Sequence, residues 1–410
     1  MFYSNIQNKV SNLYTHYSNL NTSFYFATMQ FKDIVGQDEV KNHLIQTVKD
    51  DRISHAQLFL GPEGSGSLAL AMAYAQFISC VNKLENDSCG ECSSCRKYNK
   101  LVHPDLHFSY PFFAKHKEDT AITFIEEWRN AFLANPYLGL DEWRDHLSAD
   151  NKQANINIAE AHSIIGKLSL KPFESEYKIL IMWLPEYLEK SGNALLKIIE
   201  EPSQKTLFLL VAQNQDQILN TILSRTQIVK IPKLKTKEIE QYLIKVKGAE
   251  AGKAAQLAYL SNGNLQTAQH LLIHQENDYH ELFLNWLRSC WGNHGLKIVE
   301  YTDGELSKMG RENQKNFLRY GINLMRECML FMANASELIH LPEKELEFIS
   351  KFSQILNLAK AEAIADELEK AHFHIERNAN PKILFLDVSL KLVKILKFNT
   401  LPKGTHNILL

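Results

Sequence analysis

Apolar and polar residues change period along this chain in a way that divides it into two parts. From about Gln37 to Lys49 the apolar positions recur at helical spacing, and a β run, His55-Ala-Gln-Leu-Phe-Leu60, follows and stops at Gly61-Pro62. Beyond a glycine-rich turn, Ser67 to Ile78 has alanine or leucine at five of the first six positions after the serine, which predicts the next helix. Further β runs are expected at Leu106 to Tyr110, at Lys178-Ile-Leu-Ile-Met-Trp183 and at Thr206 to Ala212. Between them lie helical stretches carrying Trp128 and Trp143, a helix near Ile158 to Leu168, and a helix Ser191 to Glu201 that ends at Pro202. Strands that alternate with helices and are themselves almost wholly apolar predict an α/β unit with a mainly parallel sheet covered on both faces.

Past Pro232 no strand pattern remains. Apolar residues recur at helical spacing through Ile239, Leu243 and Ile244 and again from Leu257 to Leu260, and Asn262-Gly263-Asn264 breaks the first small helical unit. Longer helices are expected near 280 to 291, 312 to 333, 342 to 370 and 380 to 397. The predicted division is an extension over 1–28, an α/β domain over 29–232, a small helical domain over 233–276 and a larger one over 277–410.

Composition narrows the functional classes. With 45 Lys and Arg against 47 Asp and Glu, the net charge is −2, so no global field draws the chain to nucleic acid or membrane, and any charged surface is local. No apolar run approaches the 18 or so residues of a spanning helix, so a soluble protein without membrane contact is expected. Residues 1–28 hold one charged side chain, Lys9, and no targeting pattern; a dispensable extension and a cytoplasmic protein are the corresponding expectations. Trp128, Phe132, Tyr137 and Trp143 lack interleaved basic residues and are expected to pack in the core rather than stack on bases.

Four of the six cysteines fall together as Cys80-x8-Cys89-x2-Cys92-x2-Cys95, a spacing that can offer four thiolates tetrahedrally to Zn²⁺ in a closed, structural site. His103 and His107 are nearby alternative ligands, and redox disulfides are the competing account of the same spacing. Cys290 and Cys328, alone in helical surroundings, are expected to be buried free thiols.

Gly61, Gly64 and Gly66 fit the glycine frame of GxxxxGK[ST], in which backbone N–H groups and a helix N-terminus cradle phosphates. The two chemical positions fail: Ser67 stands where the lysine would neutralise the β and γ phosphates, and Leu68 where a hydroxyl would hold Mg²⁺. A hydrolytic site also needs an acid at the end of a buried strand, and here that strand ends in Met182-Trp183-Leu184-Pro185, with Glu186 displaced beyond it. Productive ATP and Mg²⁺ chemistry is therefore not expected. The turn either retains a metal-free phosphate site or only joins strand to helix.

Four phrases in order, Phe31-Lys-Asp-Ile-Val-Gly-Gln37, His55 to Pro62, Ser191-Gly-Asn-Ala-Leu-Leu-Lys-Ile-Ile-Glu-Glu-Pro202 and Ile222-Leu-Ser-Arg225, resemble the signatures of bacterial clamp-loader AAA+ subunits over residues 30 to 232. The missing lysine and acids make the likeness one to the delta-prime type, which keeps the fold without turning over ATP. The resemblance implies an AAA+ P-loop-type domain with a zinc insert at 80–100, followed by an all-α lid and an all-α collar. It implies a hetero-oligomeric ring with ATPase subunits and a delta-type subunit, acting on a sliding clamp and primed DNA. It also implies that Arg225, supported by Ser224, enters a neighbouring subunit's ATP site, where it stabilises charge on the γ phosphate. Thr226 stands where the family has cysteine, and Gln266 where the lid's second-sensor arginine would be. Two rival readings are a working AAA+ ATPase whose lysine comes from elsewhere, and a zinc-ribbon nucleic-acid-binding protein on a decayed NTPase fold.

Overall fold

The computed structural model describes residues 29–149, 152–273, 279–335, 339, 341, 343–377 and 379–400; the expected extension over 1–28 lies outside the described residues. Packing divides the chain into two units, one running to Ala249 and including Gly263–Gln266, the other made of Glu250–Asn262 and the chain from Thr267.

The first unit is built on five strands, β1 (Ala56–Leu60), β2 (Leu106–Ser109), β3 (Lys178–Trp183), β4 (Thr206–Ala212) and β5 (Gln227–Lys230). They form one parallel sheet in the order β2-β3-β4-β1-β5, with Ala56 opposite Phe208, Ile179 opposite Leu106 and Gln57 opposite Gln227. Successive residues of β4 feed two cores: Leu207, Leu209 and Val211 pack on one face of the sheet, Phe208, Leu210 and Ala212 on the other. Burial on both faces explains why these strands read as unbroken apolar runs.

The sequence pattern missed β5. It is an edge strand of four residues in which only Val229 is buried, so it lacks the apolar run that marks the central strands. The helix expected from Ser191 to Glu201 also differs: a 3-10 segment Pro185–Leu195 leads into a short α-helix, Leu196–Glu200. Glu189, at φ 44° and ψ −131°, breaks the helical path there, and Gly192 lies against Leu219 and Ile222.

On the face covered by helix Ser67–Ser79, an aromatic cluster fills the core. Trp128 stacks on Tyr110 at 4.1 Å between ring centroids and meets Trp183 at 5.2 Å and Trp143, edge on, at 5.5 Å. The Trp143 indole N–H donates to Pro111 O at 2.7 Å. The packing role expected for Trp128, Phe132, Tyr137 and Trp143 is met, since all four are buried.

The second unit is helical, with Ala251–Leu260, Tyr279–Gly292, Arg311–Met332, Glu343–Phe352, Leu358–Glu376 and Pro381–Lys397 as its longer pieces. The single helix expected over 342 to 370 is two, because Asn357 caps a new start by accepting from Lys360 N at 2.8 Å. Phe283, Trp286, Phe317 and Phe385 form the centre of its core, and Cys290 and Cys328 are buried free thiols within it. Among the described residues no helix is long and apolar enough to cross a membrane.

Candidate functional site

β1 delivers the chain to the glycine turn at the carboxyl edge of the sheet. Gly61 N–H donates to Ala212 O at 3.1 Å and Ser65 N–H to Pro62 O at 3.2 Å, closing the turn before helix Ser67–Ser79 begins. Gly64 at φ +70° and Gly66 at φ +87° hold left-handed conformations that a side chain would strain. The expected glycine turn between strand and helix is therefore present.

Its interior is not open. A Cβ on Gly66 would meet the Tyr137 ring at 2.9 Å, and Tyr137 is fixed from behind by Val35 N–H, which donates to its hydroxyl at 2.9 Å. Leu265 N–H donates to Gly64 O at 3.1 Å, and the Asn264 side chain lies against Gly64. Ser67, at the lysine position, is buried and hydrogen-bonded to the Ser65 hydroxyl at 2.9 Å, and Leu68 is buried as well. The space left between Pro62 to Leu68, Pro136 to Leu138 and Trp183 is about 30 Å³. That admits a water or two, against roughly 300 Å³ or more for a small-molecule site.

The electrostatics agree with the sterics. Gln266 hydrogen-bonds the Glu142 carboxyl, which also accepts from Asn135 Nδ2 at 3.0 Å. Burial, with the Glu63 carboxylate adding to it, pushes Glu142 up to about 7. With Glu142 held largely protonated below about pH 7, Glu63 is the carboxylate beside the turn, and Ser67 brings no charge to the lysine position. At the second acidic position, Met182 and Trp183 are buried, and the displaced Glu186 is committed to the backbone after β4, accepting from Gln213 N at 2.6 Å and Asn214 N at 2.9 Å.

Arg225 lies between the short helix Asn220–Leu223, which Ser224 closes, and β5. Its guanidinium is partly exposed and held on several sides. Nε and Nη2 donate to Glu200 Oε2 at 3.0 and 2.9 Å, and Nη1 donates to Thr221 O at 2.9 Å and, at 3.4 Å, to the Ser224 hydroxyl. The glycine turn and Arg225 are thus separate features of the same unit. Sequence reasoning did not single out Tyr137, Glu142, Asn264 or Glu200 as site residues; Tyr137 was marked as a packing aromatic, Asn264 as part of a helix break and Glu200 within a family phrase, and Glu142 carried no signal.

The four cysteines converge. Their sulfurs lie within 4.8 Å of one another, with Cys80–Cys89 at 3.6 Å, Cys89–Cys95 at 3.9 Å and Cys80–Cys92 at 4.0 Å. A tetrahedron with metal–sulfur bonds of about 2.3 Å has edges of about 3.8 Å, whereas a disulfide needs about 2.05 Å, so the set fits a tetrathiolate metal ion. Backbone N–H groups of Cys89, Cys92 and Cys95 donate to the sulfurs of Cys80, Cys89 and Cys92 at 3.3 to 3.4 Å. Burial pushes the Cys80 and Cys95 thiols up, whereas Cys92, against its own burial, is lowered to about 6 by hydrogen bonds from backbone N–H groups of Cys95 and Val81. Among the described residues the group consists of these four cysteines; His103 instead faces Glu174, with Nε2 3.1 Å from Oε1.

Residues 36–235 match the family described as DNA polymerase III, delta subunit. The chain is 27% identical over 209 residues to the DNA polymerase III subunit delta' of Bacillus subtilis, covering 51% of this chain and 51% of that protein. It is 25% identical over 253 residues to the subunit tau of the same organism, covering 60% of this chain and 38% of that protein. To the subunit tau/gamma of Haemophilus influenzae it is 25% identical over 214 residues, covering 52% and 25%. The chain spans about half the length of these relatives, or less.

Proposed function

Residues 36–235 belong to the DNA polymerase III delta-subunit family, and from that premise we propose that the chain is a non-hydrolytic, delta-prime-like subunit of a clamp loader. In this reading 29–232 is the AAA+ domain, 233–276 the lid and 277–410 the collar through which the chain joins ATPase subunits and a delta-type subunit in a ring. The assembly places a sliding clamp on primed DNA. Cys80, Cys89, Cys92 and Cys95 hold a structural Zn²⁺ that closes the loop at 80–100.

The observation that carries the reading is the glycine turn itself, where Tyr137 and Asn264 lie against Gly66 and Gly64, Ser67 holds the lysine position and about 30 Å³ is left beside Trp183, while the larger cleft of about 560 Å³ lies on the other side of Gly61 and Pro62, next to Lys230. The subunit's chemistry is then exerted on a neighbour, through the Arg225 guanidinium, with Ser224 supporting it. A planar fork stabilises charge that develops on a transferring phosphoryl group, and the change to Thr226 leaves that fork intact.

The test has two arms. The isolated protein is expected to show no ATP hydrolysis above background and no thermal shift with ATP or ADP. In the assembled complex, Arg225→Ala slows clamp- and DNA-stimulated ATPase by tenfold or more; arginine fingers are worth about 10³ to 10⁵, and one of several sites loses its finger here. Arg225→Lys is almost as damaging, because an ammonium cannot reproduce the fork. Turnover by the chain alone supports instead a working ATPase, and wild-type rates for both variants in complexes of normal composition defeat the trans-acting role.

A further inference from the structure

The phrase Ser191 to Pro202 marks the family resemblance, yet the function proposed above gives its residues no chemistry. Its last helical residue, Glu200, is the partner of Arg225. Pro202 cannot continue a helix, and the chain leaves helix Leu196–Glu200 at Glu201, which places the Glu200 carboxylate across from a residue 25 positions later. The contact is directional. One oxygen, Oε2, takes both Nε and Nη2, the side edge of the guanidinium, while Thr221 O takes Nη1. Of the five guanidinium N–H groups, two point at Glu200, one at Thr221 O and one over a longer distance at the Ser224 hydroxyl. These contacts leave one Nη2 N–H over.

We propose that Glu200 is a positioning residue for Arg225: it holds the side edge of the guanidinium so that the outer edge is presented in a fixed plane to a phosphate supplied by another subunit. This rests on the trans-acting reading of Arg225. The physical reason is entropic. Arg225 is otherwise a long, partly exposed side chain whose rotamers would have to be selected when the ring assembles. An anchored fork has already lost that freedom. The pair does little for the fold, since Glu200 is more than half exposed in its side chain and exposed ion pairs contribute little to stability. Glu200 therefore acts on the reaction through Arg225 and touches no substrate.

The experiment is a double-mutant cycle in the assembled clamp loader, reading clamp- and DNA-stimulated ATPase, with subunit composition and the thermal midpoint of the free subunit as controls. Glu200→Ala is expected to lower the rate roughly three- to tenfold with an unchanged midpoint, and Glu200→Gln, which keeps one acceptor oxygen, to recover part of it. In the Arg225→Ala background, Glu200→Ala is expected to have no further effect. A full-sized effect of Glu200→Ala in that background, or no effect in the wild-type background while Arg225→Ala is slow, overturns the positioning role. If Arg225→Ala itself is inert, it is the trans-acting reading that fails, and the two failures are told apart within one set of proteins.

Discussion

The glycine turn and the cysteine loop sit at opposite ends of helix Ser67–Ser79, and they differ in what their residues still provide. The turn keeps its backbone, down to left-handed Gly64 and Gly66, but its space is occupied by Tyr137 and Asn264 and its lysine position by uncharged Ser67. The cysteine loop keeps its full donor set at tetrahedral separations. A backbone frame can persist for architectural reasons alone, since the turn must still join β1 to the helix. Four sulfurs drawn within 4.8 Å of one another make a donor set that could hold a metal ion, a use the turn's backbone does not share. A ligand set is thus a better witness to chemistry than a loop shape.

The strongest way to break this contrast is to attack the cysteines. Cys95 is fully buried, and Cys95→Ser is expected to reduce bound zinc from one ion per chain to well below half by elemental analysis. Hydrogen exchange should then rise most over 80–100, with the sheet much less affected, because the four cysteines close a local loop outside the strands. Freshly reduced wild-type protein without metal would reverse the comparison. On the other side, Gly66→Ala adds a methyl group at φ +87° and drives it against Tyr137. A loss of about 1–3 kcal/mol in urea unfolding is expected, which would show that the turn is maintained for packing. A neutral result would mean that the Tyr137 contact is loose.

The smallest effect concerns pH. Glu142 is raised from 4.5 to about 7 in the folded chain, so the folded state favours its protonated form. The stabilisation this gives is fully present below its ordinary range and is lost as pH rises through about 7. Glu142→Gln should therefore gain stability relative to wild type near pH 8 and lose that advantage near pH 5, and parallel pH profiles for the two proteins would count against the burial account.

Much of the first unit was legible because its strands are buried on both faces. β3 and β4 begin and end where the apolar runs predict, and helix Ser67–Ser79 runs one residue past its predicted end. The misses have local causes. β5 buries one residue of four; the 3-10 path near Glu189 follows from a single backbone conformation; and the break before Leu358 depends on a capping contact by Asn357. The candidate site was legible as motifs and as the failure of two positions. Its filling was not, because Tyr137 and Asn264 reach the turn from about 70 and 200 residues away in the chain, where no periodicity or spacing connects them.

The aromatic cluster has a consequence for how these experiments can be read. Three of the five tryptophans, Trp128, Trp143 and Trp183, lie with Tyr110 at centroid distances of 4.1 to 5.5 Å, near enough for their electronic transitions to couple. Trp183 lines the space beside the glycine turn, so the cluster touches the region where Gly66→Ala acts. The other two, buried Trp286 and partly exposed Trp291, belong to the helical unit. Near-ultraviolet circular dichroism should accordingly be dominated by the α/β unit, while the red edge of the fluorescence comes from Trp291. The chain carries an intrinsic two-channel optical label, and Trp128→Phe, which removes three of the cluster's contacts, should weaken one channel while leaving the other.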